Sequence, residues 1–146
     1  MLKGLDPLLT PELLMHLSAM GHGEWVAVVD ANFTADFLAG GKPVIRLPGH
    51  DLARVCRAVS SVLPLAEDVA APAAYMRVCH QAEAHRTDAQ RAVIQDLAAQ
   101  GLAPERVEGV ERYAFYERVR TASLLVQSGE MTAYGNVLLC KGLILA

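Results

Sequence analysis

Met20-Gly21-His22-Gly23-Glu24-Trp25-Val26-Ala27-Val28-Val29-Asp30 sets a histidine between two glycines, then five apolar residues, then a carboxylate. The run 25–29 is short, rich in β-branched side chains and apolar at every position, the pattern of a strand covered on both faces. Such a strand needs helices above and below it, so this stretch predicts an α/β fold. Just upstream, Thr10-Pro11-Glu12 supplies a hydroxyl cap, a proline fit for the first helical turn and an early carboxylate, and Gly21 supplies a stop. A helix over 11–20 is expected.

Downstream the alternation continues. Ala31-Asn32-Phe33 reads as a turn and Val44–Leu47 as a second strand. From His50 to Leu63 the apolar residues Leu52, Val55, Cys56, Val59 and Leu63 keep helical spacing and stop before Pro64. Ala73–Cys79 predicts a third strand, and Thr87 caps a helix through Gln100 with the stripe Val93, Ile94 and Leu97. A short strand at Val107 and an amphipathic helix over 114–122 follow. Ser123–Gln127 and Tyr134–Leu139, on either side of Gly129, are expected as two paired antiparallel strands. With no linker, repeat or low-complexity segment, residues 1–146 are expected to form a single three-layer α/β/α domain around a mixed β-sheet.

Composition narrows the partners. The chain has 146 residues, 53% of them hydrophobic, and a net charge of -3, which leaves no basic surplus for nucleic acid or an anionic membrane. No apolar segment reaches the roughly 18 residues of a membrane span, and Asp6 and Pro7 interrupt the N-terminal stretch before a secretion signal develops. Cys56, Cys79 and Cys140 are odd in number and scattered, as free thiols in a reducing cytoplasm are. Cys79, His80 and His85 lack zinc spacing, so no metal is expected. The high apolar share points to oligomerisation.

Polar residues at the ends of apolar elements are where an α/β fold keeps its chemistry. Three places qualify. His22, a side chain that exchanges protons near neutral pH, comes with Asp30; the alternative is a histidine in an ordinary surface turn and a carboxylate capping the next one. Arg112 and Tyr116, four apart, share a helix face if the helix includes Arg112, which otherwise is a solvated helix-end charge. Tyr134-Gly135-Asn136 would point a phenol and an amide to one side of a strand, or simply open that strand. Fully extended, residues 22–30 span up to roughly 26–29 Å, too far for His22 and Asp30 to grip one small ligand. Either the chain folds back, or neighbouring subunits complete each site.

In order and spacing, these stretches resemble the RbsD/FucU family, and its L-fucose mutarotase branch more than its D-ribose pyranase branch. The match runs from Leu8-Leu9-Thr10-Pro11-Glu12-Leu13-Leu14 through Met20-Gly21-His22-Gly23 and Asp30-Ala31-Asn32-Phe33. It continues in Arg112-Tyr113-Ala114-Phe115-Tyr116-Glu117-Arg118, Gly129-Glu130 and Tyr134-Gly135-Asn136-Val137-Leu138-Leu139. The resemblance implies an enzyme that interconverts sugar anomers without a cofactor, in a ring-shaped cytoplasmic oligomer, commonly a decamer, with sites near subunit interfaces. It makes His22 the acid/base and puts the monosaccharide on Asp30, Arg112, Tyr116, Tyr134, Gly135 and Asn136. A D-ribose pyranase and a non-catalytic sugar-binding or transport-accessory protein are the alternatives. One departure bears on sugar preference: the fucose branch commonly has histidine where this chain has Asn32.

Overall fold

A computed structural model describes residues 2–145. The elements are α1 (Pro11–Ala19), β1 (Trp25–Val29), α2 (Ala35–Ala39), β2 (Val44–Leu47), α3 (Leu52–Ser60) and β3 (Ala73–Met76), then α4 (Asp88–Ala99), β4 (Val107–Val110), α5 (Arg112–Thr121), β5 (Leu124–Ser128) and β6 (Val137–Cys140). The strands form one mixed sheet in the order β2-β5-β1-β6-β3-β4, with β6 antiparallel to both neighbours and the other pairs parallel.

Why these residues make these elements is local. Thr10 Oγ1 accepts from Leu13 N and Pro11 opens α1, while Asp51 and Thr87 cap α3 and α4 in the same way. Strand β1 then divides its side chains between two cores. Val26 and Val28 pack with Leu13, Leu17, Val55, Val59, Val93 and Leu97 from α1, α3 and α4; Ala27 and Val29 pack with Leu38, Phe115 and Val119 from α2 and α5. Helices cover both faces, as the apolar run requires, giving the expected three layers.

Three expectations need correction. First, β5 and β6 are not partners, because β1 lies between them. All four residues of β6 are buried, so the run fits an interior slot, where β1 and β3 clothe both its edges. Second, residues 134–136 precede that strand; Tyr134 has φ 63°, a left-handed backbone incompatible with a strand. Third, the strand expected over Ala73–Cys79 stops at Met76; the chain after the 31–33 turn, to which the sequence assigns no element, forms the short helix α2, closed by Gly40 at φ 57°.

This topology makes one sheet edge chemical. The five parallel strands end at the edge where β6 begins, and the connection 129–136 must cross the end of β1 to carry the chain from β5 to β6. Asp30, Glu130, Asn136 and the start of α5 therefore converge there.

Candidate functional site

Asp30 is buried at the end of β1 and braced by Asn136, 106 residues away. The Asp30 backbone N–H donates to Asn136 Oδ1 at 3.0 Å, and Asn136 Nδ2 donates to Asp30 Oδ2 at 2.9 Å. Asp30 Oδ1 accepts from Asn32 N at 3.0 Å. Burial pushes the Asp30 carboxyl up from its ordinary value; the bonds from Asn136 and Asn32 oppose that, and the nearby Glu130 carboxylate adds to it. Each Asp30 oxygen still has a lone pair for a ligand hydroxyl, so the group is a positioned double acceptor.

The crossing connection closes over this carboxylate. Ala31 N donates to Glu130 O at 2.9 Å, and a Cβ on Gly135 would lie 2.8 Å from Glu130 Cγ and 3.5 Å from Asp30 Cβ, so only glycine lets the segment pass. Gln90, fully buried in the first turn of α4, donates from Nε2 to Met76 O at 2.7 Å and to Tyr134 O at 2.8 Å. Those bonds hold Tyr134 in its left-handed conformation, a strain of the kind found at ligand sites. Desolvation and a bond with Cys79 push the Tyr134 phenol up, the Cys79 bond being the larger cause.

Helix α5 does begin at Arg112, and its Nε donates to Tyr116 Oη at 3.0 Å. That phenol and the Tyr113 and Tyr134 rings hold the Arg112 guanidinium above its ordinary value. Tyr116 stacks edge-on against Phe33 at 5.6 Å and Tyr113 at 6.1 Å, so the rings adjoin the Asp30 turn. Arg112 makes no ion pair with Asp30 among the described residues; its partner is the phenol.

His22 lies elsewhere. Strand β1 runs unbroken from Trp25 to Val29 in register with β5 and β6, roughly 17 Å long, and it separates His22 at one edge of the sheet from Asp30 at the other. The fold-back is thereby excluded. His22 Nε2 instead meets Asp68 Oδ1 at 3.1 Å. Of the residues singled out from sequence, Asp30, Arg112, Tyr116, Tyr134, Gly135 and Asn136 share one edge and His22 stands alone. Glu130, Phe33, Gln90 and Asp68 were missed as site residues, although Gly129-Glu130 already stood in the matching pattern.

Known proteins resemble the chain over nearly its whole length. The profile of the RbsD / FucU transport protein family matches residues 3–144. An L-fucose mutarotase of Glaesserella parasuis serovar 5 (strain SH0165) is 38% identical over 142 residues, covering 97% of this chain and 95% of that protein. The fucose mutarotase of Mus musculus is 36% identical over 149 residues, covering 97% and 94%. The crystal structure of the fucose mutarotase in complex with L-fucose from Streptococcus pneumoniae superposes with a TM-score of 0.90 at 26% identity, covering 99% of this chain and 100% of that one. The family match over residues 3–144, the relatives at 36–38% identity and the shared fold lead to one assignment: the chain belongs to the RbsD/FucU family.

Proposed function

We propose that this protein is a cofactor-independent sugar mutarotase that interconverts the α and β anomers of L-fucose or a related monosaccharide. The observation that carries the reading is the buried Asp30–Asn136 pair beside Arg112 and the Phe33, Tyr113 and Tyr116 rings, a polar grip next to flat apolar faces. Sugars present hydroxyls and apolar C–H faces together, and this edge offers a partner for each. The fucose mutarotases at 36–38% identity support the same substrate class.

Mutarotation is redox-neutral. A proton leaves the anomeric hydroxyl, the bond from the anomeric carbon to the ring oxygen breaks to give the open aldehyde, and the ring oxygen gains a proton. Reclosure on the other carbonyl face inverts the centre. Positioned acid/base groups contribute about 10²–10⁴-fold to such a step, and His22 is the acid/base in this reading. Asp30, with Asn136 bracing it, and Arg112 bind the hydroxyls; Tyr116, Tyr134 and the space left by Gly135 shape the ring's seat.

Because His22 and Asp30 occupy opposite edges, the working site combines His22 of one copy with the Asp30 edge of another. The exposed apolar residues Leu143, Ile144 and Leu145 after β6, with Leu2 and Met15, support contacts between copies, and we assign a homo-oligomer of the ring-shaped decamer type. Three free cysteines support a cytoplasmic setting, and no helix of the described residues is long and apolar enough to cross a membrane.

The test is NMR magnetisation exchange between the anomers of L-fucose, with D-ribose and D-galactose in parallel, at trace protein. Acceleration for L-fucose that falls about 100-fold or more in His22→Ala is expected. Ribose acceleration alone would move the assignment to a pyranase, and a folded protein that accelerates none would make it a binding protein.

A further inference from the structure

A cavity of about 350 Å³ opens beside Arg112, walled by the segment 77–83 that leaves β3. That volume falls in the range of roughly 300–1,000 Å³ that small-ligand pockets occupy. The wall is built into the fold at both ends. Arg77 N donates to Val110 O at 2.8 Å, just after Met76 N donates to Asn136 O at 3.1 Å, so the segment starts at the same sheet edge as Asp30. At the far end Arg86 Nη1 donates to the carbonyls of Glu83 and His85 at 2.8 and 3.1 Å, and its guanidinium lies 4.3 Å from the centroid of the buried Tyr75 ring.

Two of its walls also belong to the sugar edge. Arg112 lines the cavity while its Nε donates to Tyr116 Oη at 3.0 Å, and Cys79 lines it while meeting the Tyr134 phenol. His80 has φ 61° and Tyr134 φ 63°, the two left-handed residues other than glycine in the described chain, so backbone strain gathers where the cavity joins the seat. The cavity's own groups are mixed. Arg77, His80, Gln81 and Glu83 present donors and acceptors from exposed or half-buried positions, and the Arg77–Glu83 pair is loose, 3.5 Å apart with the Glu83 side chain 88% exposed. Glu111 at the rim is committed to backbone, its Oε2 accepting from Tyr113 N and Ala114 N at 2.8 and 3.1 Å. Two guanidiniums and two carboxylates balance, so the cavity offers little to an ion, whereas planar donors and acceptors side by side suit hydroxyls, which both donate and accept.

We propose that this cavity is a subsite for a second sugar unit, so that the protein mutarotates the reducing end of a disaccharide whose other unit rests on Arg77, His80 and Gln81. The proposal rests on the mutarotase reading, whose chemistry dictates where an extension can lie. Ring opening needs a free anomeric hydroxyl, and that end of the sugar faces His22 of another copy. A linked unit therefore leaves from a carbon whose hydroxyl faces Asp30 and Arg112, and Arg112 is the side chain that the seat and the cavity share.

The probes are D-galactosyl-L-fucose disaccharides linked through fucose O2, O3 or O4, with L-fucose as the reference. Titration calorimetry on the full-length protein reads affinity, and NMR magnetisation exchange reads turnover at the reducing end. At least one linkage should bind about 10-fold or more tighter than L-fucose, as one or two net hydrogen bonds give, and exchange its anomers at trace protein. Arg77→Ala should return that affinity to the L-fucose level while L-fucose binding and exchange stay within about twofold of wild type. His80→Gly, which removes the imidazole and tolerates the left-handed backbone, should do the same independently. Disaccharides that bind no tighter than L-fucose, while L-fucose itself is accelerated, overturn the proposal. So does tight binding that both variants leave intact, or a loss that both variants impose equally on L-fucose. A folded wild type that accelerates neither L-fucose nor any disaccharide overturns the mutarotase reading and the subsite with it, so the two failures are distinguishable.

Discussion

At Asp30 two forces oppose: burial raises the carboxyl, while the bonds from Asn136 and Asn32 favour its charged form. Asn136 thus braces Asp30 and, in the proposed site, also holds the sugar, and Asn136→Ala would leave the Asp30 N–H without its partner. We expect that variant to lose about 1–3 kcal/mol in urea unfolding and most of its sugar affinity by titration calorimetry. A second residue-scale prediction concerns Asp6, whose two carboxylate oxygens accept from Arg54 Nη1 and Nη2 at 2.7 and 2.6 Å. The bond from Arg54, then that from Leu8 N, hold the Asp6 carboxyl below its ordinary value. In that window the unfolded chain binds more protons, so the pair's stabilisation is fully present above the ordinary aspartate value and is lost as pH falls through the depressed one. Asp6→Asn should therefore be destabilised by about 1 kcal/mol at pH 7 relative to wild type, with the difference vanishing in strong acid. Site residues at the ends of apolar runs, such as Asp30 and Arg112, were legible in the sequence because an end of an element is itself a sequence feature. Asp68 was not, since the segment 64–71 has no periodicity and its partner lies 46 residues away. Gln90 carries no signal of its own within the helix that Thr87 caps, and only the fold reveals that its amide reaches β3 and Tyr134.

Among the elements, helices and buried strands were legible because apolar spacing and caps are local. Thr10, Asp51 and Thr87 each cap a helix through the third backbone N–H that follows. The pairing of β5 and β6 was misread because Gly129 looks like a hairpin turn, whereas strand order depends on which slot buries an all-apolar strand on both faces. Helix α2 escaped notice because five residues are too few to display a periodic stripe. The element that matters most for chemistry is the connection 129–136, and α4 supports it through Gln90. Gln90→Leu would strip a donor from the Met76 and Tyr134 carbonyls, and we expect about 2–4 kcal/mol lost in denaturant unfolding. Gly135→Ala should cost about 1–3 kcal/mol and weaken sugar binding, because the new methyl displaces Glu130 or the Thr132 carbonyl, 3.0 Å from the added Cβ.

For the whole molecule, one sheet separates two chemistries: a histidine held by Asp68 at one edge, and a carboxylate with its amide, cation and rings at the other. The separation was anticipated from the length of the run between His22 and Asp30, but an extended span alone left the fold-back open, and only the register of β1 with β5 and β6 removed it. The central claim is a mutarotase site completed between copies, which subunit mixing tests most directly. His22→Ala and Asp30→Asn are each expected to be inactive alone in the anomer-exchange assay. Dissociated, combined in equal amounts and reassembled, they should regain about a quarter of wild-type activity, since random pairing gives that share of interfaces an intact His22 from one copy and an intact Asp30 from the other. Reassembled mixtures that stay as inactive as either parent, while wild type treated alike recovers fully, would contradict the account.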